Sequence, residues 1–298
     1  MGIILSIITF KCGKEGGLFS WLTIIGLYNI KDKQKIYKVS YILGCIAFFM
    51  FCYLSEGVVV TRYINGNWIG IFKRTNLLYV SFFALLSLRL LIYSHNKSKL
   101  DIKTILLIAI VNVLMYIFTG TRTGFLVTIF LIMLLSLLRY KKMQKSKLLK
   151  YSCIMSPVIC LAVSWFTSYY YEKIQFLKIL NNTLAGRLSL GHIYLNSYNL
   201  TLFGQQLERS YGAGEYMVLD SAYLDMLLCY GVLFTTAWIL LNCYSISFFF
   251  KRKKYIEVSL LVVYSVWGIT ETFLPNIFLN ISLFLCGDYI FFKLSKTA

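Results

Sequence analysis

Apolar runs, mostly of 15 to 20 residues and separated by short charged clusters, recur along the whole 298-residue chain. Eight of them, roughly 39–58, 77–93, 104–119, 125–138, 151–167, 219–250, 255–270 and 277–292, are long enough or well enough bounded to cross a bilayer as helices. Two shorter pieces occupy 2–10 and 17–30. The pattern predicts an all-α fold, a polytopic helical membrane protein with about 8–10 transmembrane segments in a single integral membrane domain over 1–298. Residues 168–219 break the pattern with a polar stretch holding Glu172, Lys173, Arg187, Glu208, Arg209 and Glu215. An insert of that size has no packing purpose in a bilayer, so it is expected to be a large extracytoplasmic loop carrying the chemistry. The first short piece begins at Met1 without the basic flank and cleavage site of a signal peptide, which points to a start inside the first hydrophobic segment or a short helical hairpin.

Composition agrees: 58% of residues are hydrophobic and the mean hydropathy is +0.70. The net charge of +18 would suit a nucleic-acid binder if it were clustered. It is dispersed instead. With sides alternating and 139–150 placed in the cytoplasm, the cytoplasmic loops collect Lys31, Lys33, Lys35, Lys38, Lys97, Lys99, Lys103, Arg139, Lys141, Lys142, Lys145, Lys147, Lys150, Lys251, Arg252, Lys253, Lys254, Lys293 and Lys296, 19 of the 30 basic residues. That asymmetry is the positive-inside rule, and it makes both termini cytoplasmic. Nucleic acid is therefore not an expected partner. The eight cysteines lie in apolar runs apart from Cys12, with no C-x-x-C and no metal-ligand spacing. No phosphate loop, H-E-x-x-H, serine elbow or D-x-D pair is present, so no cofactor or metal is expected.

The outer side carries arginine where the cytoplasmic side carries lysine: Arg62, Arg74, Arg122, Arg187 and Arg209. Arg122 lies in Gly120-Thr121-Arg122-Thr123-Gly124, a tight turn between two spans. It either snorkels to the interface and ends a helix or offers its planar fork to a phosphate or carboxylate, with the flanking glycines letting the ligand approach. Arg187 follows Asn181-Asn182-Thr183, a plausible helix start; Leu184, Leu188 and Leu195 then form an apolar stripe, and Arg187, Tyr194 and Tyr198 share the adjacent strip. This predicts an amphipathic surface helix, suited either to a sugar and its phosphate or to plain interfacial anchoring. Asp220 heads the apolar run at 219–250 as an N-cap or a functional acid, and Glu271 lies in the outer turn before Pro275, paired or catalytic.

The order G-T-R-T-G, A-G-R-L-S-L-G, T-L-F-G-Q, V-L-D-S-A-Y-L-D-M-L-L-C-Y-G and E-T-F-L-P-N-I-F-L-N resembles the bacterial O-antigen and capsular polysaccharide repeat-unit polymerases, the Wzy-type family, over roughly residues 40–292. The resemblance implies a metal-independent glycosyltransferase of the bacterial plasma membrane. It moves a growing glycan from polyprenyl diphosphate to the next lipid-linked repeat unit on the outer face. Lipid-linked oligosaccharides and membrane lipid are the implied partners, with a chain-length regulator and a flippase as further candidates. Arg122 and Arg187 map onto the family's outer-loop arginines and would bind diphosphate; Asp220, Glu271 or His192 would be the base. Substrate contacts are expected from Arg74, Asn76, His192, Tyr194, Tyr198, Gly204 and Gln205. Many relatives carry His-Pro-Asn after the early arginine, where this chain has Lys73-Arg74-Thr75-Asn76-Leu77. Related ligases place a histidine near the end of the large loop, whereas His192 lies in the amphipathic segment. The alternatives are such a ligase, a lipid-linked oligosaccharide exporter, and a non-catalytic scaffold.

The orientation is testable. A cysteine introduced at Gly212 is expected to react with a membrane-impermeant thiol reagent in intact cells. Protection until lysis would reverse the topology.

Overall fold

The computed structural model describes residues 33–55, 59–64, 67–72, 75–96, 100–184, 186–207, 219–276 and 279–297. The short pieces at 2–10 and 17–30, Arg74, and residues 208–218 of the polar insert lie outside the described residues.

Helix dominates. The helices are α1 (Lys33–Ser55), α2 (Thr75–Asn96), α3 (Ile102–Thr119), α4 (Arg122–Leu137), α5 (Lys141–Gln144), α6 (Lys147–Tyr169), α7 (Gln175–Thr183), α8 (Arg187–Ser197), α9 (Ala222–Asp225), α10 (Gly231–Lys251), α11 (Tyr255–Trp267) and α12 (Ser282–Thr297). Among the described residues four stretches are long and apolar enough to cross a membrane: Asn76–His95, Ile102–Thr119, Lys147–Tyr169 and Ala222–Lys251. Arg122–Leu137 and Tyr255–Trp267 are apolar but shorter. The exposed face of α3, with Leu106, Leu107, Ile110, Leu114 and Ile117, has the composition of a lipid-facing surface.

The all-α class holds, with one element added to it: β1 (Val59–Ile64) pairs antiparallel with β2 (Asn67–Phe72), from Val59↔Phe72 to Ile64↔Asn67. The intervening Asn65-Gly66 is the favoured sequence for a two-residue hairpin turn. Two other expectations need correction. The run expected at 277–292 becomes a helix only from Ser282, after a turn in which Asn280 Nδ2 donates to the Leu274 carbonyl at 2.7 Å and Asn280 Oδ1 accepts from the Ser282 N–H at 3.1 Å. Lastly, 219–250 is not one helix: α9 passes into a π turn over Met226–Tyr230, and α10 restarts at Gly231, whose φ is +87°.

The chain forms two compact units. One comprises Ile30–Lys150 and Phe249–Val263. In it α2, α3 and α4 meet at the fully buried Tyr79, whose hydroxyl donates to Asn112 Oδ1 and lies 3.4 Å from Thr128 Oγ1, while Asn112 Nδ2 donates to the Phe125 carbonyl at 3.3 Å. Polar links of this kind hold apolar helices together where lipid offers no competing partner. Gly124 exists for the same contact, since a Cβ there would lie 2.3 Å from Tyr79 Cδ1. Gly120 closes α3 in the left-handed conformation, φ +63°, with its N–H donating to the Tyr116 carbonyl at 2.8 Å. Both glycines around Arg122 therefore serve the fold, a simpler account than ligand access.

The second unit holds the described residues of Tyr151–Phe248 and Tyr264–Ala298. Its central feature is the repair of the helix break. The Gln205 N–H donates to the Leu228 carbonyl at 3.1 Å, and the N–H groups of Val232 and Leu233 donate to the carbonyls of Thr201 and Leu202 at 3.0 and 3.2 Å. Groups orphaned by the interruption are thus met by the 201–205 segment. Such lacing needs two glycines face to face: a Cβ on Gly204, φ +82°, would lie 2.0 Å from the Cys229 carbonyl oxygen, and one on Gly231 would lie 2.4 Å from the Gly204 nitrogen. Gly231→Ala is expected to cost at least about 1–3 kcal/mol from backbone strain alone. Unfolding in detergent at an unchanged temperature would refute this account of the break.

Candidate functional site

Three segments of the second unit converge on Arg187. It is the first residue of α8, and the start of that helix is fixed from α7: the buried Asn181 accepts through Oδ1 from the N–H groups of Leu188 (2.9 Å) and Ser189 (3.2 Å). This is a cap supplied from a preceding helix rather than by the adjacent residue. The amphipathic helix expected from residue 184 therefore begins at 187, and Asn181-Asn182-Thr183, read as its start, is the last turn of α7. One turn further on, Gly191 lets α8 close onto α6 and α9; a Cβ there would meet Ser168 Oγ at 2.4 Å and Leu224 Cδ1 at 3.0 Å.

The two acids are brought in by α9 and the turn after α11. The Ala222 N–H donates to the Gly268 carbonyl at 2.9 Å, and the Tyr223 hydroxyl donates to the Ser265 carbonyl at 2.8 Å. Those bonds bring Asp220, just before α9, beside the turn that carries Glu271. Downstream of Glu271, Phe273 packs edge-on against Trp267 at 4.9 Å and Leu274 is fully buried. Ser221, not Asp220, occupies the position immediately before the helix, so the N-cap expectation for Asp220 is corrected. Its carboxylate is turned to Arg187 instead.

Arg187 Nε donates to Asp220 Oδ2 and Arg187 Nη2 to Glu271 Oε1, each at 3.1 Å. The Arg187 and Glu271 side chains are only 16% and 15% exposed, Asp220 more so at 34%. A guanidinium has five N–H donors; the two pairs use one at Nε and one at Nη2, which leaves three for water or an anion. Burial pushes the Glu271 carboxyl up to about 7; the Arg187 charge pulls it down, and the neighbouring Asp220 carboxylate pushes it up again. Desolvation wins. The arrangement therefore holds a carboxylate close to half-ionised near neutral pH, beside a cation with spare donors, which suits proton acceptance from a hydroxyl and charge stabilisation. Among the described residues no group of three His, Cys, Asp or Glu could hold a metal ion.

Within the second unit, the other expected residues take different roles. His192 is held on the other side of α8, with Nδ1 2.9 Å from the Ser168 carbonyl and Nε2 2.9 Å from Asn196 Nδ2 and 3.5 Å from Glu172 Oε1. A carbonyl only accepts, so Nδ1 carries a proton. Tyr194, expected beside Arg187 on an open face, is packed inside at 4% exposure and stacks on the half-buried Tyr198 with centroids 6.0 Å apart. Gly204 and Gln205 build the helix repair, and Gln205 Nε2 donates to the Asn199 carbonyl at 2.7 Å. Asn76 is an exposed residue in the first turn of α2. Arg122, which like Asn76 belongs to the first unit, is exposed on the first turn of α4.

Two residues escaped sequence reading. Asn181 was visible only as part of a polar triplet, since its capping role depends on the chain folding back. Asp225, 1% exposed and accepting from Cys229 Sγ at 3.4 Å, was legible as a lone acid inside an apolar run.

The elevated Glu271 carboxyl fixes a pH dependence. Its folded value of about 7 exceeds the ordinary 4.5, so the folded protein holds the proton more tightly. That contribution is complete below the ordinary value and is lost as pH rises through the folded one. The unfolding temperature in detergent is expected to fall across this window, and Glu271→Gln to flatten the fall. An identical slope in the variant would place the titration elsewhere.

No family model, curated protein or solved structure matches this chain, so what the site does is argued from its own residues.

Proposed function

We propose that the chain is a polymerase of lipid-linked oligosaccharide repeat units, acting on the outer face of a bacterial plasma membrane, with about 8–10 spans and cytoplasmic termini. The observation that carries the reading is the meeting of Arg187 with Asp220 and Glu271, 33 and 84 residues away in sequence. Each of the three belongs to a different one of the ordered motifs on which the family resemblance rests.

In the proposed reaction the acceptor hydroxyl of the incoming repeat unit gives its proton to Glu271. Its oxygen forms a bond to the anomeric carbon of the growing glycan, and the bond from that carbon to the diphosphate oxygen breaks. The electron pair leaves with the polyprenyl diphosphate, whose charge is met by the unused Arg187 donors. Asp220 holds Nε and so fixes the plane of the guanidinium. The partners are lipid-linked oligosaccharides and lipid, with a chain-length regulator and a flippase in the same system. Diphosphate binding by Arg122 enters from the family resemblance alone.

One observation favours an exporter as the second reading: transporters place substrate at interrupted helices, and the Ala222–Lys251 stretch is interrupted at Gly231. Here the freed backbone groups are filled by 201–205 instead of facing a cavity.

Lysine keeps the charge of Arg187 but cannot reach two carboxylates through separate nitrogens while retaining donors for an anion. Losing such a contact in the transition state costs roughly 2.7–4 kcal/mol, about a hundredfold or more in rate. Cells with Arg187→Lys or Arg122→Lys at normal protein level are expected to accumulate single repeat units and lose long polymer. Full polymer in both variants, with loss in Asp220→Asn, would move the site to the carboxylates; export failure with polymerisation intact would favour the second reading.

A further inference from the structure

His192 is on the side of α8 that the Arg187 site does not use, and both of its ring nitrogens are engaged. Nδ1 lies 2.9 Å from the Ser168 carbonyl at the end of α6. That carbonyl has no proton to give, so Nδ1–H donates whether the ring is neutral or charged. Any change of charge is therefore confined to Nε2. There two partners of opposite character meet: Asn196 Nδ2 at 2.9 Å, one turn further along α8, and Glu172 Oε1 at 3.5 Å, in the turn that follows α6. A neutral ring offers a lone pair at Nε2, which accepts from the Asn196 amide. A protonated ring offers an N–H, which the same amide nitrogen cannot accept and the carboxylate can. Turned over, the Asn196 amide would present Oδ1 as a neutral acceptor, but a carboxylate is the stronger partner for a charged donor.

The surroundings leave that role to Glu172. The His192 side chain is 13% exposed and that of Glu172 69%, so the acid has room to close the remaining tenths of an ångström. The Tyr171 ring lies 5.9 Å from the imidazole, inclined by 54°, and its hydroxyl accepts from Asn181 Nδ2 at 3.3 Å. Lys173, beside Glu172, holds its ammonium over Tyr169 and Tyr170, at 5.4 and 5.5 Å. α7 brings Asn181 to this cluster, and its one charged residue, Lys178, is exposed. α9 reaches α8 at Gly191 with the apolar Leu224, while Tyr223 is bonded to the Ser265 carbonyl and Asp225 to Cys229. On α8 itself, Arg187 is turned to Asp220 and Glu271.

We propose that His192 and Glu172 form a proton-operated latch between α8 and the turn after α6. With the ring neutral, Nε2 bonds within α8, to Asn196, and Nδ1–H alone carries the ring's hydrogen bond to α6. With the ring protonated, Nε2–H closes onto Glu172, which adds a second, charge-assisted tie across to the turn. Imidazole is the side chain that ordinarily changes charge between about pH 5 and 8, so acidification of the compartment that bathes the insert closes the latch. Asn181 links it to the site: it bonds Tyr171, which packs on His192, and it caps the start of α8 at Leu188, next to Arg187. The latch acts on α8 whatever reaction the Arg187 site performs.

Two measurements on the purified full-length chain test the latch. The protein has two histidines, His95 and His192, so nitrogen NMR of histidine-labelled protein is assigned with His95→Gln. At about pH 8 the His192 ring is expected as the Nδ1–H tautomer, and the Nε2–H tautomer would overturn the proposal. Hydrogen exchange of the α8 amides, corrected for the intrinsic effect of pH, is expected to slow about two- to fivefold from about pH 8 to about pH 6, the range of an ion pair with one exposed member. Glu172→Gln, at an exposed position, should abolish this gain, and Asn196→Ala should keep it. Glu271, raised to about 7, changes charge over the same interval, so Glu271→Gln is measured beside them and should also keep the gain. No gain in the parent, a gain that survives Glu172→Gln, or one lost in Glu271→Gln alone would place the switch elsewhere and overturn the proposal.

Discussion

A helix read as membrane-embedded cannot be interrupted unless protein replaces the backbone bonds it gives up, and that constraint organises the second unit. The π turn and Gly231 free a carbonyl on one side of the break and N–H groups on the other; residues 201–205 take up both. The segment can lie that close only because Gly204 and Gly231 carry no side chains. Fixing 201–205 ties the segment after α8 to the break, while Asn181 and Gly191 tie α8 to α7, α6 and α9. The insert is therefore pinned at several points, and Arg187 inherits its position from those attachments.

The Arg187 cluster shows how burial changes the sign expected from simple pairing. A carboxylate 3.1 Å from a guanidinium normally sits below its ordinary value, yet Glu271 is raised to about 7. One cation is shared by two acids, Asp220 repels the second negative charge, and Phe273, Leu274 and Trp267 leave little water around the turn. Asp220, with 34% of its side chain exposed, is the more open of the two acids, and its carboxylate is one of the causes that raise Glu271.

The sequence reading reached helix placement because hydrophobic runs measure themselves against bilayer thickness; α3 and α6 lie within a few residues of their expected limits. Failures came where length and periodicity are silent. The break at Gly231 lies inside an apolar run whose hydropathy does not change, and it is caused by what the 201–205 segment brings to it. The hairpin at 59–72 was legible in Asn65-Gly66 but was absorbed into a loop between spans. For the site, Arg187, Asp220 and Glu271 were each suspected singly, and Glu271 pairing with an arginine was foreseen. That Asp220 joins the same arginine instead of capping its own helix depends on the Ala222 and Tyr223 bonds to α11, which no local pattern encodes. Tyr194 misled because a strip adjacent to an apolar stripe can be buried as easily as exposed.

The same geometry bears on the two functional classes. A substrate pathway through an interrupted helix needs backbone groups left open toward a cavity, and at Gly231 those groups are spent on the polypeptide itself. The polar groups that retain capacity, three Arg187 donors and the Glu271 carboxyl, lie instead at helix ends: the start of α8 and the turn following α11. Catalysis on a lipid-linked substrate needs its charged groups there, where the diphosphate and sugars emerge from hydrocarbon. Transport would need them deeper along a span. Asp225, the most deeply buried acid among the described residues of this unit, has almost no surface to offer a substrate, and its contact with Cys229 of the π turn makes it part of the break's interior. This placement at helix ends is one ground on which we propose transfer chemistry rather than passage across a membrane.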